Sequence, residues 1–171
     1  MDDEKRFLCD RMAGSLCRYL RLMGYDTLSA NDMQPGNPAE DTILLKMAIH
    51  EDRILLTRDA ELSRRNALVV LYLESESLEG QIIQLVGRQL IIPVIRLTRC
   101  SLCNSQLIEY KPGEGGEDHI SDEITTISWC PFCKKAYWEG SHTSAMRNHL
   151  ARIMKGFTLS SAQDGASDLQ G

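Results

Sequence analysis

The chain has 171 residues, 43% of them hydrophobic and 25% charged, and its formal net charge at pH 7 is −5. This length predicts one compact domain of about 100 residues with a smaller unit beside it. The negative charge argues against a protein that coats nucleic acid with a general cationic surface, although the charges are unevenly distributed along the chain.

Up to about residue 97, short apolar runs alternate with amphipathic segments, which predicts β-α units around a parallel sheet. The predicted strands are residues 7–9, 25–30, 53–57 and 68–73, and residues 91–97 form an edge strand or a linker. The predicted helices are residues 12–23, with Gly24 as C-cap, and 38–50, 60–65 and 78–90. Met12, Leu16, Leu20 and Met23 supply the buried stripe of the first helix. The continuous apolar run at 68–73 predicts a strand buried on both faces.

Acidic residues follow two of these strands. Asp10 comes directly after the first strand and Asp59 shortly after the third, at the carboxyl edge where parallel sheets collect functional groups. Asp41 lies in the first turn of the second helix, where the helix dipole alone favours a carboxylate. Together the three acids repel one another and favour a hard divalent cation, Mg²⁺ or Mn²⁺, bound through oxygen.

Arginines bracket the same acids. Arg11, Arg18 and Arg21 are expected on the polar side of the first helix, and Arg58 precedes Asp59. Carboxylates that hold a metal and guanidinium groups that hold phosphates suit phosphoryl chemistry. The alternative is that the arginines only neutralise the acids as ion pairs, and we expect this of at least one.

Two cysteine pairs lie in the C-terminal part, each with two residues between the cysteines. They are Cys100, Cys103, Cys130 and Cys133. This spacing predicts a structural Zn²⁺ site with four thiolates and no open coordination position. The alternatives, a disulfide framework and a redox dithiol, are disfavoured because no signal peptide or membrane span is predicted, so we expect a cytoplasmic or nuclear protein with reduced thiols. Cys9 and Cys17 are expected to be small buried side chains.

The charges of the C-terminal part are segregated. Acidic residues lie between the cysteine pairs: Glu109, Glu114, Glu117, Asp118, Asp122 and Glu123. Basic residues follow: Lys134, Lys135, Arg147, Arg152 and Lys155. Tyr137, Trp138, His142 and Arg147 could stack on and clamp unpaired bases. Alternatively the two tryptophans form the core of the ribbon; we expect this of Trp129 and leave Trp138 open.

These features divide the chain into residues 1–97, residues 98–156 with a C-terminal helix, and a tail at 157–171. The tail has too little apolar content to offset its ordering entropy, so it is predicted to be disordered.

The order of these motifs resembles the Mut-seven C-terminal RNase domain family, a PIN-like nuclease domain followed by a zinc ribbon. The segments that carry the resemblance are Phe7-Leu8-Cys9-Asp10-Arg11-Met12, Arg18-Tyr19-Leu20-Arg21, Gly24-Tyr25-Asp26-Thr27, Arg53-Ile54-Leu55-Leu56-Thr57-Arg58-Asp59 and Cys130-Pro131-Phe132-Cys133. The resemblance covers about residues 7–150. It implies an α/β fold, with a PIN-like (Rossmann-like) parallel sheet, flanking helices and a small zinc ribbon, and metal-dependent cleavage of RNA.

The resemblance also implies roles for single residues. Asp10 and Asp59 would bind Mg²⁺ or Mn²⁺ directly, Asp41 would bind a second ion or orient the attacking water, and Thr57 would support the site. A fourth acid, common in such nucleases, is not fixed by the sequence. The candidates are Glu61, Asp32 and Glu40.

Other functions remain open. The main alternative is a catalytically inactive adaptor of the same fold that binds RNA or protein. A phosphoacceptor receiver domain explains less, since it places two adjacent acids after its first strand, whereas Arg11 follows Asp10. A dinucleotide-binding enzyme is disfavoured because no glycine-rich fingerprint follows the first strand.

Overall fold

A computed structural model of the chain describes residues 5–110 and 127–167, with side chains up to Thr158. The first part contains β1 (Phe7–Cys9), a 3₁₀ turn (Arg11–Ala13), α1 (Gly14–Leu22), β2 (Thr27–Ser29), a second 3₁₀ turn (Ala30–Asp32), α2 (Glu40–His50), β3 (Ile54–Thr57), α3 (Ala60–Arg65), β4 (Val70–Tyr72) and α4 (Leu78–Gly87). The second part contains β5 (Ile108–Tyr110), β6 (Ile127–Cys130), β7 (Lys135–Trp138) and α5 (Ser141–Ser167). Within these ranges the structure has no helix with the length and apolar content needed to cross a membrane.

The first four strands form a parallel sheet in the order β2-β1-β3-β4. Leu8 of β1 lies opposite Leu28 of β2 and Leu55 of β3, so β1 and β3 occupy the centre of the sheet. Every strand and helix predicted up to residue 90 is present, with ends that differ from the predicted ones by at most a few residues. The predicted α/β fold with a parallel sheet and flanking helices is therefore confirmed.

The two faces of the sheet have separate cores, because successive side chains of a strand point to opposite faces. Phe7 and Cys9 belong to one apolar cluster, to which α1 contributes Leu16 and Leu20. Leu8 belongs to the other, to which α2 contributes Leu44. Helices α1 and α4 thus cover one face, and α2 and α3 cover the other.

The prediction that the fourth strand is buried on both faces is wrong. β4 lies at the edge of the sheet, and Leu68 and Tyr72 are 97% and 37% exposed. The apolar run is used in part elsewhere, since Leu73 turns into the core and is fully buried. The side chain of Gln84 on α4 donates a hydrogen bond of 2.7 Å to the carbonyl oxygen of Tyr72, which partly covers the edge.

The structure also tests two smaller predictions, on Met12 and on residues 91–97. Met12 does not belong to the buried stripe of the first helix: it is 58% exposed, because residues 11–13 form a 3₁₀ turn that changes the helical spacing. Residues 91–97 form a linker, in which Ile91 and Ile95 are buried.

The cysteine-containing part has a three-stranded antiparallel sheet in the order β5-β6-β7. Its buried residues Cys100, Cys130 and Tyr137 belong to the same apolar cluster as the core residues of α1 and α4, and so do Leu150 and Ile153 of α5. The two parts of the chain therefore share a continuous core. The domain division at residue 97 stays a prediction.

Two predictions fall wholly or partly outside the described residues. The acids Glu114, Glu117, Asp118, Asp122 and Glu123 lie there. The disorder of the tail from Phe157 onward stays a prediction, although α5 continues to Ser167 in the structure.

A network of hydrogen bonds connects the parallel sheet to the turn of the first cysteine pair. Asp26 accepts hydrogen bonds from both terminal nitrogens of Arg53, at 2.9 and 3.2 Å, and from Nδ2 of Asn104 at 2.7 Å. The side-chain oxygen of Asn104 in turn accepts from the backbone N–H of Thr27 at 2.9 Å. Burial raises the pKa of Asp26, but the hydrogen bonds from Arg53 and Asn104 lower it below the ordinary value of 3.8.

We expect Asp26→Asn to destabilise the protein at pH 7 by about 1.5–3 kcal/mol, the contribution of hydrogen bonds to a charged group. Because the folded-state pKa is lowered, this stabilisation exists above the unfolded-state pKa and is lost as the pH falls through the folded-state value. Urea unfolding of both proteins at several pH values should show the difference closing at acidic pH. Asp52→Asn, at an exposed carboxylate with no side-chain partner among the described residues, is the control and should change little.

Candidate active site and cysteine cluster

Two of the predicted acids lie at the switch point of the parallel sheet. From the neighbouring strands β1 and β3 the chain continues to opposite sides of the sheet, to β2 and to β4. Asp10 follows β1 and Asp59 follows β3. The hydroxyl of Thr57 joins them: it donates to Oδ2 of Asp10 at 2.7 Å and accepts from the backbone N–H of Asp59 at 2.9 Å. Thr57 is fully buried, so this connection is fixed by the core.

Local backbone geometry orients both carboxylates. Oδ1 of Asp10 accepts from the N–H of Arg11 at 2.6 Å and caps the 3₁₀ turn. Asp59 is the N-cap of α3, with Oδ1 accepting from the N–H groups of Glu61 and Leu62 at 2.7 and 3.1 Å. Within the described ranges Oδ2 of Asp59 has no hydrogen-bond donor. A carboxylate offers about four lone pairs, so both groups keep acceptor capacity for a cation.

Asp41 lies in the first turn of α2 and is exposed. Partial desolvation raises the pKa of Asp41, and the negative charges of Asp59 and Asp10 raise it further. The three acids are therefore electrostatic neighbours, as the sequence predicts. Their oxygens do not all approach within 4.8 Å of one another, a condition that only the four cysteines meet in the described part of the chain.

The side chain of Arg11 forms an ion pair within the protein. Its guanidinium forms a two-pronged ion pair with Glu40, at 2.8 Å from Nε and 2.6 Å from Nη2, and it also donates to the carbonyl oxygen of Gln34. This contact ties the start of α2, and with it Asp41, to the end of β1. It is the ion-pair role that the sequence predicts for at least one arginine.

The other three arginines differ in exposure. Arg21 is 3% exposed, and its guanidinium donates to three backbone carbonyls and to Asp32, which leaves it little access to a substrate. Arg18 is exposed and makes no hydrogen bond or ion pair with the described residues. Arg58 pairs with Glu76 through Nη2 at 2.7 Å, while its buried Nε has no partner in the described part of the chain.

The three candidates for a fourth acid differ in whether their carboxylates are already paired. Glu40 is engaged by Arg11, and Asp32 is paired with Arg21 at 2.8 Å. Glu61 is exposed and has no side-chain partner among the described residues. Glu61 is thus the candidate whose carboxylate is available beside Asp59.

Sequence reasoning missed Arg65. This residue, at the end of α3, donates from Nη2 to the hydroxyl of Thr42 at 2.9 Å, and its positive charge lowers the pKa of Asp41. The available signal was the basic pair Arg64 and Arg65 at the end of the short helix that begins with Asp59. Arg65 adds a cation beside the acids.

The four cysteine sulfurs lie within 4.8 Å of one another and could hold a metal ion. The two turns that bring them together have the same design. Asn104 donates its N–H to the carbonyl of Cys100 at 3.0 Å, and Lys134 does so to Cys130 at 2.9 Å. Both Asn104 and Lys134 have positive φ, 66° and 54°, so the two turns close with the same backbone conformation.

The thiols perturb one another strongly. Burial raises the pKa of the Cys103 thiol, but hydrogen bonds with Ser105 and with the neighbouring cysteines lower it to about 6. The pKa of Cys133 is raised to about 12 by its hydrogen bond with Cys103, by burial and by the charges of the neighbouring thiols. Four thiolates this close need a cation to ionise together, and soft sulfur donors fit Zn²⁺. Tyr137 supports the cluster, its hydroxyl lying 3.2 Å from the sulfur of Cys100.

Comparison with known proteins identifies the family. The family model of the Mut7-C RNAse domain matches residues 5–150, a range that includes both the acids at the sheet edge and the four cysteines. No curated protein and no solved structure matches the chain. Since the match covers most of the sequence, the chain belongs to the Mut7-C RNAse domain family.

Proposed function

We propose that the protein is a metal-dependent ribonuclease with a PIN-like catalytic domain, residues 1–97, and a zinc ribbon, residues 98–156. The observation that carries the proposal is the link from Asp10 through Thr57 to Asp59 at the switch point of the sheet, with the charge of Asp41 close to both. Membership of an RNase family supports RNA as the substrate.

The three aspartates and Thr57 have different roles in the proposed reaction. Asp10 and Asp59 would hold the cation, and Asp41 would bind a second ion or orient the attacking water. A bound Mg²⁺ or Mn²⁺ supplies stabilisation of phosphoryl charge and a more acidic water. The water attacks phosphorus in line with the leaving oxygen and loses a proton to solvent through Asp41, while the P–O bond to the leaving oxygen breaks and that oxygen takes a proton from solvent. Thr57 keeps Asp10 in place throughout.

Cationic side chains complete the site. Arg58 and Arg65 lie beside the acids, where their guanidinium groups suit the binding of phosphate oxygens. Arg18 is exposed on α1 and contributes farther along the RNA. The four cysteines bind Zn²⁺ for structure and hold the ribbon against α1 and α4.

The second candidate is a catalytically inactive adaptor that binds RNA or protein. One observation favours it: the oxygens of the three aspartates do not all approach within 4.8 Å of one another, a condition met only by the cysteines in the described part of the chain. An active site needs them to close on an ion by side-chain rotation, and only turnover separates the two functions.

We expect wild-type protein to cleave labelled single-stranded and hairpin RNAs with Mg²⁺ or Mn²⁺, and Asp10→Asn and Asp59→Asn to lose at least about 100-fold in kcat/KM. Residues that merely orient metal ligands cost about 10- to 100-fold when mutated, and a direct ligand should cost at least as much. Zinc is retained in every sample. The measurement is single-turnover cleavage followed by gel electrophoresis.

Asp52→Asn serves as the matched control, because it makes the same change at an exposed carboxylate at the other end of the sheet. It should cleave like wild type. Cleavage that persists in both site variants would contradict the assigned metal ligands. If wild type and variants are equally inert while RNA still binds, the adaptor is the correct function.

A further inference from the structure

A cavity of about 230 Å³ lies between α1 and the cysteine-containing part, away from the acids. Arg18 of α1, Lys135 and Trp138 of β7, and His142 of α5 contribute to its lining. None of the described residues that line it is acidic. The cavity therefore has a positive rim in a protein whose net charge is −5.

The wall of the cavity combines apolar side chains with the rings of Tyr137 and Trp138, of which Trp138 is the more exposed. Leu22, Leu97 and Met146 line it together with Trp138, whose residue is 40% exposed. The indole is packed closely against Gly140: a Cβ atom at that position would lie 2.8 Å from its Nε1. One edge of the ring therefore lies against the backbone of Gly140, and the ring remains partly open to solvent.

The polar side chains of the rim are available for a ligand. Arg18 and His142 make no hydrogen bond or ion pair with the described residues. Among the described residues the ammonium of Lys135 contacts only the ring of Tyr137, with Nζ 5.9 Å from the ring centroid. Ser141, the first residue of α5, also lines the cavity, so the N-terminal end of a long helix adds anion-binding N–H groups.

We propose that this cavity is a subsite for one unpaired nucleotide of the RNA substrate, with the base stacked on Trp138 and the adjoining phosphate held by Arg18, Lys135 and His142. The inference rests on the proposed function for its choice of RNA. A cavity below the roughly 300 Å³ typical of drug-sized ligands suits one ring system and excludes a base pair. Stacking on an exposed aromatic ring among cations is how single strands are bound without base-edge readout.

The position of the subsite fits a substrate that also reaches the acids. α1 begins at the carboxyl edge of the sheet next to Asp10, and Arg18 lies about 6 Å along the helix axis from Gly14. One strand could lie along α1, with its scissile phosphate at the sheet edge and a neighbouring nucleotide in the cavity.

The test is binding of a short fluorescein-labelled oligouridylate, measured by anisotropy with full-length, zinc-loaded protein and no added Mg²⁺ or Mn²⁺. We expect Trp138→Ala to weaken binding about 5- to 150-fold, the cost of one lost base stack. Arg18→Ala should make the slope of log K against log salt shallower by about 0.7. Arg88→Ala, at an exposed arginine directly after α4, is the matched control and should leave affinity unchanged.

A second variant keeps the test decisive if Trp138→Ala does not fold. Gly140→Ala retains the indole and displaces it, so it should weaken binding too, whereas Trp138→Phe should retain most of the affinity. In a Trp129→Phe background Trp138 is the only tryptophan, and its fluorescence should be quenched by the oligonucleotide.

Unchanged affinity in folded Trp138→Ala, or in Gly140→Ala, together with an unchanged salt slope in Arg18→Ala would overturn the subsite. If RNA is nevertheless cleaved normally, the nuclease proposal stands without it. If the variants weaken binding but wild type cleaves nothing, the subsite is supported and the adaptor replaces the nuclease.

Discussion

Replacing Cys100 by serine is expected to abolish zinc binding and to unfold the small sheet β5-β6-β7. The sulfur of Cys100 is fully buried in the four-cysteine cluster, and a serine hydroxyl is a poor substitute for a thiolate ligand. Metal binding to such a site supplies about 10–16 kcal/mol of apparent folding free energy, more than a sheet of this size obtains from its own core. The loss should be far larger than that of an ordinary core substitution.

The consequence extends beyond the ribbon because the core is continuous. Cys100 and Cys130 belong to the same apolar cluster as Leu16 of α1 and Leu150 of α5. We therefore expect the near-ultraviolet circular dichroism of Trp129 and Tyr137 to disappear, and the melting temperature of the remaining α/β part to fall. Zinc content by mass spectrometry should drop from one equivalent to none.

Cys17→Ser provides the control, since Cys17 is 2% exposed but lies outside the metal cluster. It should lose some stability, as any buried thiol replaced by a hydroxyl would, yet retain one equivalent of zinc and the aromatic signal. Full zinc retention and unchanged spectra in Cys100→Ser would show that this cysteine is not a ligand.

The features that sequence predicted well are local ones. A zinc-type knuckle needs two cysteines and a tight turn, all within five residues, and the turns at Asn104 and Lys134 form as the spacing requires. Strand ends are local too, so the positions of Asp10 and Asp59 at one edge of a parallel sheet followed from strand prediction alone.

The failures depend on contacts distant in sequence. The exposed side of β4 depends on strand order, which the apolar run at 68–73 does not encode. Arg11 pairs with Glu40 across 29 residues, so no local pattern showed which arginine would form the ion pair expected of at least one. Arg65 was missed for the same reason, because its neighbour Asp41 belongs to another helix.

Arg18 and Arg21 show this contrast on one helix. Both are basic residues that helical periodicity assigns to a polar face, yet Arg18 is exposed and Arg21 is 3% exposed. Arg21 is buried because the first cysteine turn packs over it, and its guanidinium donates to the carbonyls of Ser101 and Leu102 at 3.3 and 2.6 Å. It also donates to the carbonyl of Thr27 at 2.8 Å, next to β1 in the sheet.

We therefore expect Arg21→Met to destabilise the protein by about 3 kcal/mol or more, while Arg18→Ala stays within about 0.5 kcal/mol of wild type. In the variant the buried carbonyls lose their donor, and each unsatisfied buried group costs about 1–3 kcal/mol. Arg21→Lys should recover only part of the loss, because a single ammonium cannot reproduce the planar fork that reaches four oxygens. Urea unfolding monitored by circular dichroism measures all three.

In RNA binding we expect the opposite ranking, with a larger effect of substitution at Arg18 than at Arg21. Arg18→Ala should weaken oligonucleotide binding without loss of stability, and Arg21→Lys, wherever it remains folded, should bind with wild-type affinity. A stable Arg21→Met protein with weakened RNA binding would instead place Arg21 at the substrate. If Arg21→Lys binds RNA with wild-type affinity while Arg21→Met is unstable, the role of Arg21 is structural. It then fixes the first cysteine turn to the sheet, so that the ribbon presents Trp138 and Lys135 beside α1.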